Sequence, residues 1–264
     1  MPSNSVSSAD NTSTPSVTSG RGSRLISRIL PAAIRLWLQT QLDHIEGLDF
    51  RIGGSDRQIL SGHVPQVTAS AQQAVYRGLH VSHVAVAATD IHVNLGQVVR
   101  GKPLKLLRSF PVSGQVSVQA DDLQASLDSA LLGDGLQDLL QRLWHSHPEL
   151  NQWVTVATTT RESTPSIRDI QLRADRCTLV WTVAADQFLA MEARLTMVDG
   201  RWLCLQQPTL TLHPPESFPG VANPVVIDDV RFDLGPETDI QTLTVTPAAI
   251  TLEGTVQVNT VRIN

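Results

Sequence analysis

Only two cysteines, Cys177 and Cys204, occur in 264 residues, too few and too far apart for a disulfide framework or a thiolate zinc site. Each sits in an alternating apolar run, the usual setting of a buried free thiol, with pairing across neighbouring strands left open. Aromatic residues make up 4% of the chain. The core must therefore come from Leu, Val, Ile and Ala, and the aromatic platforms on which single-stranded nucleic acids stack are missing. Nucleic acid is not an expected partner. Charged residues are also scarce, at 17% against 41% hydrophobic, a composition that builds a core and does not stay unfolded. No run approaches the roughly 18 consecutive apolar residues of a transmembrane helix. The apolar stretch after residue 23 is broken by Arg28, Pro31 and Arg35, so it does not read as the core of a signal peptide. A cytoplasmic or peripheral membrane location is the expectation.

Reactive constellations are absent as well. There is no nucleophile elbow, no pair of carboxylates at catalytic spacing and no Cys with His placed on a turn. Gly53 and Gly54 with Ser55 and Asp56 lack the spacing of phosphate-cradling loops and are explained by a turn. Asp228 and Asp229 read as a solvated turn. Eight histidines raise the question of a metal: His80, His83 and His92 could converge on adjacent strands, and His145 with His147 forms an HxH pair. However, His80 and His83 fall on opposite faces of a regular strand, and no Cys or Glu completes a tetrahedral set. The expectation is no enzyme, no metal and no cofactor.

What is present is uneven. The net charge is −5, yet residues 11–120 hold eleven Lys or Arg against five Asp or Glu, and residues 121–264 hold nine against nineteen. The first part is the face for an anionic partner. Residues 1–23, rich in Ser, Thr, Asn, Gly and Pro, read as a disordered tail, and residues 24–264 as one α+β domain with a continuous core. From Leu25 to Leu42 the apolar positions, Ile34 and Trp37 among them, recur at helical spacing with Arg24, Arg28 and Arg35. This amphipathic helix either packs on the protein's own core or lies on a membrane. After Gly47 the period becomes two, as in Ile91, Val93, Leu95 and in Val116, Val118, Ala120. The phase slips between Leu79 and Val86, which predicts a bulge near Ser82 and His83. Residues 121–145 return to helical spacing, with Asp121 as a cap and a break near Gly133. Strands resume beyond Trp153, with a hairpin turn at Asp199 and Gly200 and breaks at Pro247 and Gly254. That order predicts a strongly curved antiparallel sheet packed around the N-terminal helix and the central helix pair.

The best chemical signal lies in Ile91–Ala120, where Arg100, Lys102, Lys105 and Arg108 occur without any Asp or Glu. Leu104, Leu106, Leu107 and Phe110 interleave with them. Such a mix either pairs lipid headgroups with cations while apolar side chains face the membrane or a groove, or is a basic loop with partly buried leucines.

Four segments carry a family resemblance: DRQILSG at Asp56–Gly62, AVYRGLHV at Ala74–Val81, IHVNLGQVVRGKPL at Ile91–Leu104, and DLQASL at Asp122–Leu127. The chain resembles the LmeA-like bacterial family of phospholipid-binding proteins. The resemblance implies a tubular lipid-binding-like fold, a curved sheet around a long helix, and non-catalytic binding of phospholipid or an anionic membrane surface in lipid transfer or envelope maintenance. No catalytic residue transfers with it. The alternatives are a scaffold with a filled groove and an accessory enzyme of envelope glycolipid synthesis.

Overall fold

The computed structural model describes residues 40, 42–98, 100–146, 165–184, 187–213 and 224–260. The expected tail, residues 1–23, lies outside them, and of the expected helix over Leu25–Leu42 only Thr40 and Leu42 are described. The first part of the fold runs β1 (His44–Ile45), β2 (Asp49–Gly53), α1 (Asp56–Leu60), β3 (His63–Ala71), β4 (Ala74–Tyr76), β5 (Leu79–Val81) and β6 (His83–His92). There follow α2 (Leu95–Val98), β7 (Phe110–Gln119), α3 (Ala120–Ala125) and α4 (Leu132–Ser146). The rest is β8 (Ser166–Arg173), β9 (Arg176–Ala184), β10 (Gln187–Val198), β11 (Trp202–His213), β12 (Val225–Val226), β13 (Val230–Asp233), β14 (Thr238–Val245) and β15 (Ala249–Val258).

These strands form two large antiparallel sheets and one small one. The first sheet has the order β14-β15-β7-β6-β3-β2, and the second β12-β11-β10-β9-β8 with β13 also paired to β11. A three-stranded sheet, β1-β4-β5, stands apart. The alternating patterns behave as expected: along β10 the residues Leu189, Met191 and Ala193 are buried, because a period of two sends them to one face. Asp199 and Gly200 both take positive φ, 51° and 64°, the paired left-handed turn that suits a tight hairpin. Bulges at Glu192/Arg194 and Ile240/Thr242 break the ladders locally, which bends the strands that carry them.

The structure corrects several expectations. The phase slip at Ser82 is not a bulge in one strand. It is the break between β5 and β6, which belong to different sheets, with Ser82 N–H donating to the Ser117 carbonyl at 3.0 Å. Gln119, not Asp121, occupies the cap of α3, and Asp121 and Asp122 fall in the first turn, where carboxylates face the positive end of the helix dipole. Gly254 does not end a strand. It lies inside β15 and faces Gly114 of β7. A Cβ on Gly114 would lie 2.2 Å from the Ala85 carbonyl oxygen, and one on Gly254 would lie 2.6 Å from that of Asp239, so only glycine fits where four strands press together.

Among the described residues the core falls into two clusters. Its larger cluster joins Leu139, Leu140 and Leu143 of α4 to Trp181, Met191 and Leu210 of the second sheet, and reaches Val245 of the first. A smaller cluster around Ile59, Val64, Ile91, Val93 and Phe110 sits at the other end of β7. The two large sheets touch where Asp175 N–H donates to the Val245 carbonyl at 3.1 Å and Ile240 N–H to that of Gly200 at 2.7 Å.

Candidate functional site

Cross-strand pairing builds an apolar floor on the second sheet. Met191 faces Leu179, Ala193 faces Cys177 and Leu195 faces Leu205, so neighbouring strands present their apolar sets to one side. Helix α4 supplies the opposite wall through Leu132, Leu136 and Leu139, one to two turns apart. Between them lies a cavity of about 350 Å³, closed further by Leu123 of α3, Phe232 of β13 and Ile250 of β15. Among the described residues, every one on the lining is apolar, glycine or cysteine. The size falls within the range of small-molecule pockets.

Helix α3 is anchored so as to hold one corner of this cavity. Ser126, fully buried, accepts the His80 N–H at 2.8 Å and donates to the Asp122 carbonyl at 2.6 Å. Ser82 Oγ donates to Asp122 Oδ2 at 2.5 Å and accepts the Gln119 N–H at 2.6 Å. The DLQASL segment thus places Leu123 and Leu127 in the core by means of its polar residues.

The mouth is marked by Leu131 and Leu234, which line the cavity and are 44% and 40% exposed. Beside Leu234 the Arg201 guanidinium grips Asp233 with two nitrogens. Hydrogen bonds from Arg201 and the Gly235 N–H hold the Asp233 carboxyl down at about 2, so this cation is already neutralised by its partner. Among the described residues the one titratable group on the lining is Cys177, and burial pushes its thiol up to about 12. Because only the thiolate is reactive, Cys177 is expected to resist a thiol reagent in the folded protein at pH 8. It should react at the rate of a free thiol after denaturation, as absorbance of the released chromophore will show. Rapid reaction of Cys177 without denaturant would mean that the cavity opens to water.

The basic segment lies elsewhere. Arg100, Lys102, Lys105 and Arg108 are all exposed, and so is Leu107, at 59%. Leu104 and Leu106 are half-buried against the smaller cluster, and Phe110 is buried within it, so Phe110 faces neither a membrane nor the cavity. The loop is held firmly. Buried Asn94 accepts the Lys105 N–H at 2.6 Å and donates to the Pro103 carbonyl at 3.0 Å, while the Gln97 carbonyl accepts the N–H groups of Arg100 and Lys102. The loop precedes β7 and the cavity follows it, so the ten residues of that strand, about 30 Å of extended chain, separate them. Ile34 and Trp37, the other expected membrane or groove residues, lie outside the described residues. Residues such as Met191, Leu179 and Leu136 were legible in the sequence as core positions, but nothing in their spacing distinguished a cavity from a filled core.

The histidines do not converge as considered. His83 and His92 stand at opposite ends of β6 and His80 lies in β5. The histidine brought to His92 is His63, its register partner on β3, a pairing that sequence spacing could not reveal. Among the described residues no helix is long and apolar enough to cross a membrane.

Antiparallel sheets that bound a cavity beneath a helix, its described lining apolar, define a protein suited to holding an apolar ligand. The chain belongs to the LmeA-like phospholipid-binding family, whose sequence model matches residues 21–255. No curated protein and no solved structure matches it.

Proposed function

We propose that this protein binds phospholipid without transforming it, housing acyl chain in the cavity between α4 and the second sheet. The observation that carries this reading is the wholly apolar lining. Each methylene moved from water into such a site contributes about 0.8 kcal/mol, so about ten of them supply on the order of 8 kcal/mol. A scaffold with a filled groove is disfavoured because well-packed proteins leave few gaps larger than a water molecule, and the described side chains leave about 350 Å³ here. An envelope glycolipid enzyme is disfavoured by a lining whose one titratable group is a thiol held protonated. The tubular lipid-binding-like arrangement is part of the same proposal, supported by two antiparallel sheets meeting over an apolar cavity.

Mass spectrometry of an organic extract of the purified protein tests the proposal. Stoichiometric phospholipid is expected. An extract without lipid, together with no uptake of a fluorescent phospholipid from vesicles, would overturn it.

The exposed cations around Leu107 form the second part of the proposal, a contact with an anionic membrane surface. Each such charge near the surface is worth roughly 1 kcal/mol if all face the bilayer. Changing Arg100, Lys102, Lys105 and Arg108 together to Glu should abolish the preference for anionic over neutral vesicles in sedimentation. Added salt should weaken the wild-type interaction in the same way. The circular dichroism spectrum should be retained, since exposed substitutions usually shift stability by less than about 0.5 kcal/mol. Equal sedimentation of the wild-type protein with both vesicle types would remove this loop from the proposal.

A further inference from the structure

At the end of the first sheet nearest the basic loop, three metal-ligating side chains meet. His63 of β3 and His92 of β6 are register partners, and their rings stack with centroids 4.8 Å apart and planes inclined by 19°. Asp90, two residues before His92, shares its face. Its Oδ1 lies 2.8 Å from His63 Nε2 and 3.8 Å from His92 Nδ1, and its carbonyl lies 3.0 Å from the same His92 nitrogen. The backbone is specialised here. Asp90 has φ 54°, a left-handed conformation that is uncommon outside glycine but tolerated by Asp and Asn, and such conformations gather at functional sites. The register places Asp90 opposite Pro65, which has no N–H to offer the ladder.

We propose that His63, Asp90 and His92 bind a divalent transition-metal ion of the zinc class. One ligating atom of each residue lies within 4.8 Å of the other two. Bonds of about 2.1 Å to a tetrahedral ion require separations near 3.4 Å, between the 2.8 Å from Asp90 Oδ1 to His63 Nε2 and the 3.8 Å from Asp90 Oδ1 to His92 Nδ1. Two imidazoles and one carboxylate suit zinc, nickel or copper, whereas calcium and magnesium demand oxygen alone. Three protein ligands leave a position for water, and Asp90, 71% exposed in its side chain, leaves an entry path. The His92 carbonyl accepts the Leu107 N–H at 2.8 Å, so the ion would pin β3 and β6 beside the basic loop. This site is separate from the apolar cavity and does not depend on lipid binding.

The test is titration of the full-length protein with Zn²⁺ by calorimetry, supported by the visible absorption of bound Co²⁺ and by the thermal midpoint. The wild-type protein is expected to show saturable binding and a midpoint raised by Zn²⁺. Asp90→Asn keeps the side-chain shape and a residue at ease in left-handed φ, and should weaken binding about tenfold or more. Combined His63→Ala and His92→Ala should remove it, while combined His80→Ala and His83→Ala should leave it intact. Absence of saturable Zn²⁺ binding in the wild type, or undiminished affinity in Asp90→Asn, would overturn the assignment. The Asp90→Asn result decides even where the double histidine variant does not fold. Extracted phospholipid serves as an independent readout, expected to be unchanged in every metal-site variant.

Discussion

Ala193→Phe is expected to reduce phospholipid binding at least tenfold while leaving the thermal midpoint unchanged or raised. Ala193 is 1% exposed and lines the cavity from the middle of β10. Forcing a phenyl ring into a filled core would cost about 1–3 kcal/mol through displaced neighbours. Here the ring enters a void of about 350 Å³, and burying it contributes about 2 kcal/mol. Stability and binding should therefore move in opposite directions. Fluorescent phospholipid uptake and calorimetric unfolding on one preparation measure both. A lowered midpoint with undiminished uptake would show that the cavity is core and that lipid binds elsewhere.

Gly114→Val should lower stability by about 3 kcal/mol or more, a large share of the 5–15 kcal/mol typical of a folded domain. The first added carbon would stand 2.2 Å from the Ala85 carbonyl oxygen and 2.8 Å from the Val86 Cα. Both are backbone atoms of the adjoining strand, so no side-chain rotation relieves the contact, and β6 and β7 would have to part. Gly96→Ala is the matched comparison, since nothing lies within 4 Å of the carbon it adds. That variant should stay within about 0.5 kcal/mol of the parent. Denaturant unfolding of the two variants is the measurement. A Gly114→Val protein that unfolds with the parent would show that β6, β7 and β15 are more loosely apposed.

Local periodicity carried much of the fold. The alternation of Leu189, Met191 and Ala193 marked β10, the spacing of Leu136, Leu139 and Leu143 marked α4, and Asp199 with Gly200 marked the hairpin that joins β10 to β11, because each pattern is written in neighbouring residues. Partner choice is not written that way. Nothing near Gly114 announces Gly254, and the missing Cβ at both positions acquires its meaning only once the strands lie side by side. The basic loop was legible as charge, but its separation from the cavity depends on the direction of β7. The cavity itself is a volume that no described side chain fills, and alternating apolar residues look alike above a void and above a packed core. His63 and His92 became neighbours through the register of β3 with β6; the histidines nearer in sequence, His80 and His83, pointed to the wrong grouping.

The place of β15 in the first sheet bears on how the chain matures. Its partner β7 is made early, yet Gly254, which faces Gly114, is 140 residues downstream, with the whole second sheet encoded in between. At about 5–20 residues per second of synthesis, the β7 edge waits roughly 7–28 s for its neighbour. During that time β7, paired with β6 on one side only, leaves an edge, with Val112, Val116 and Val118 on one face, open to other chains. The second sheet can close on α4 first, being built from consecutive hairpins, whereas the first must hold its gap until β15 has been made. Long-range closure of this kind slows folding. Nascent chains halted before Ala249 are then the species most prone to aggregate, and β15 acts as the latch that ends that exposure.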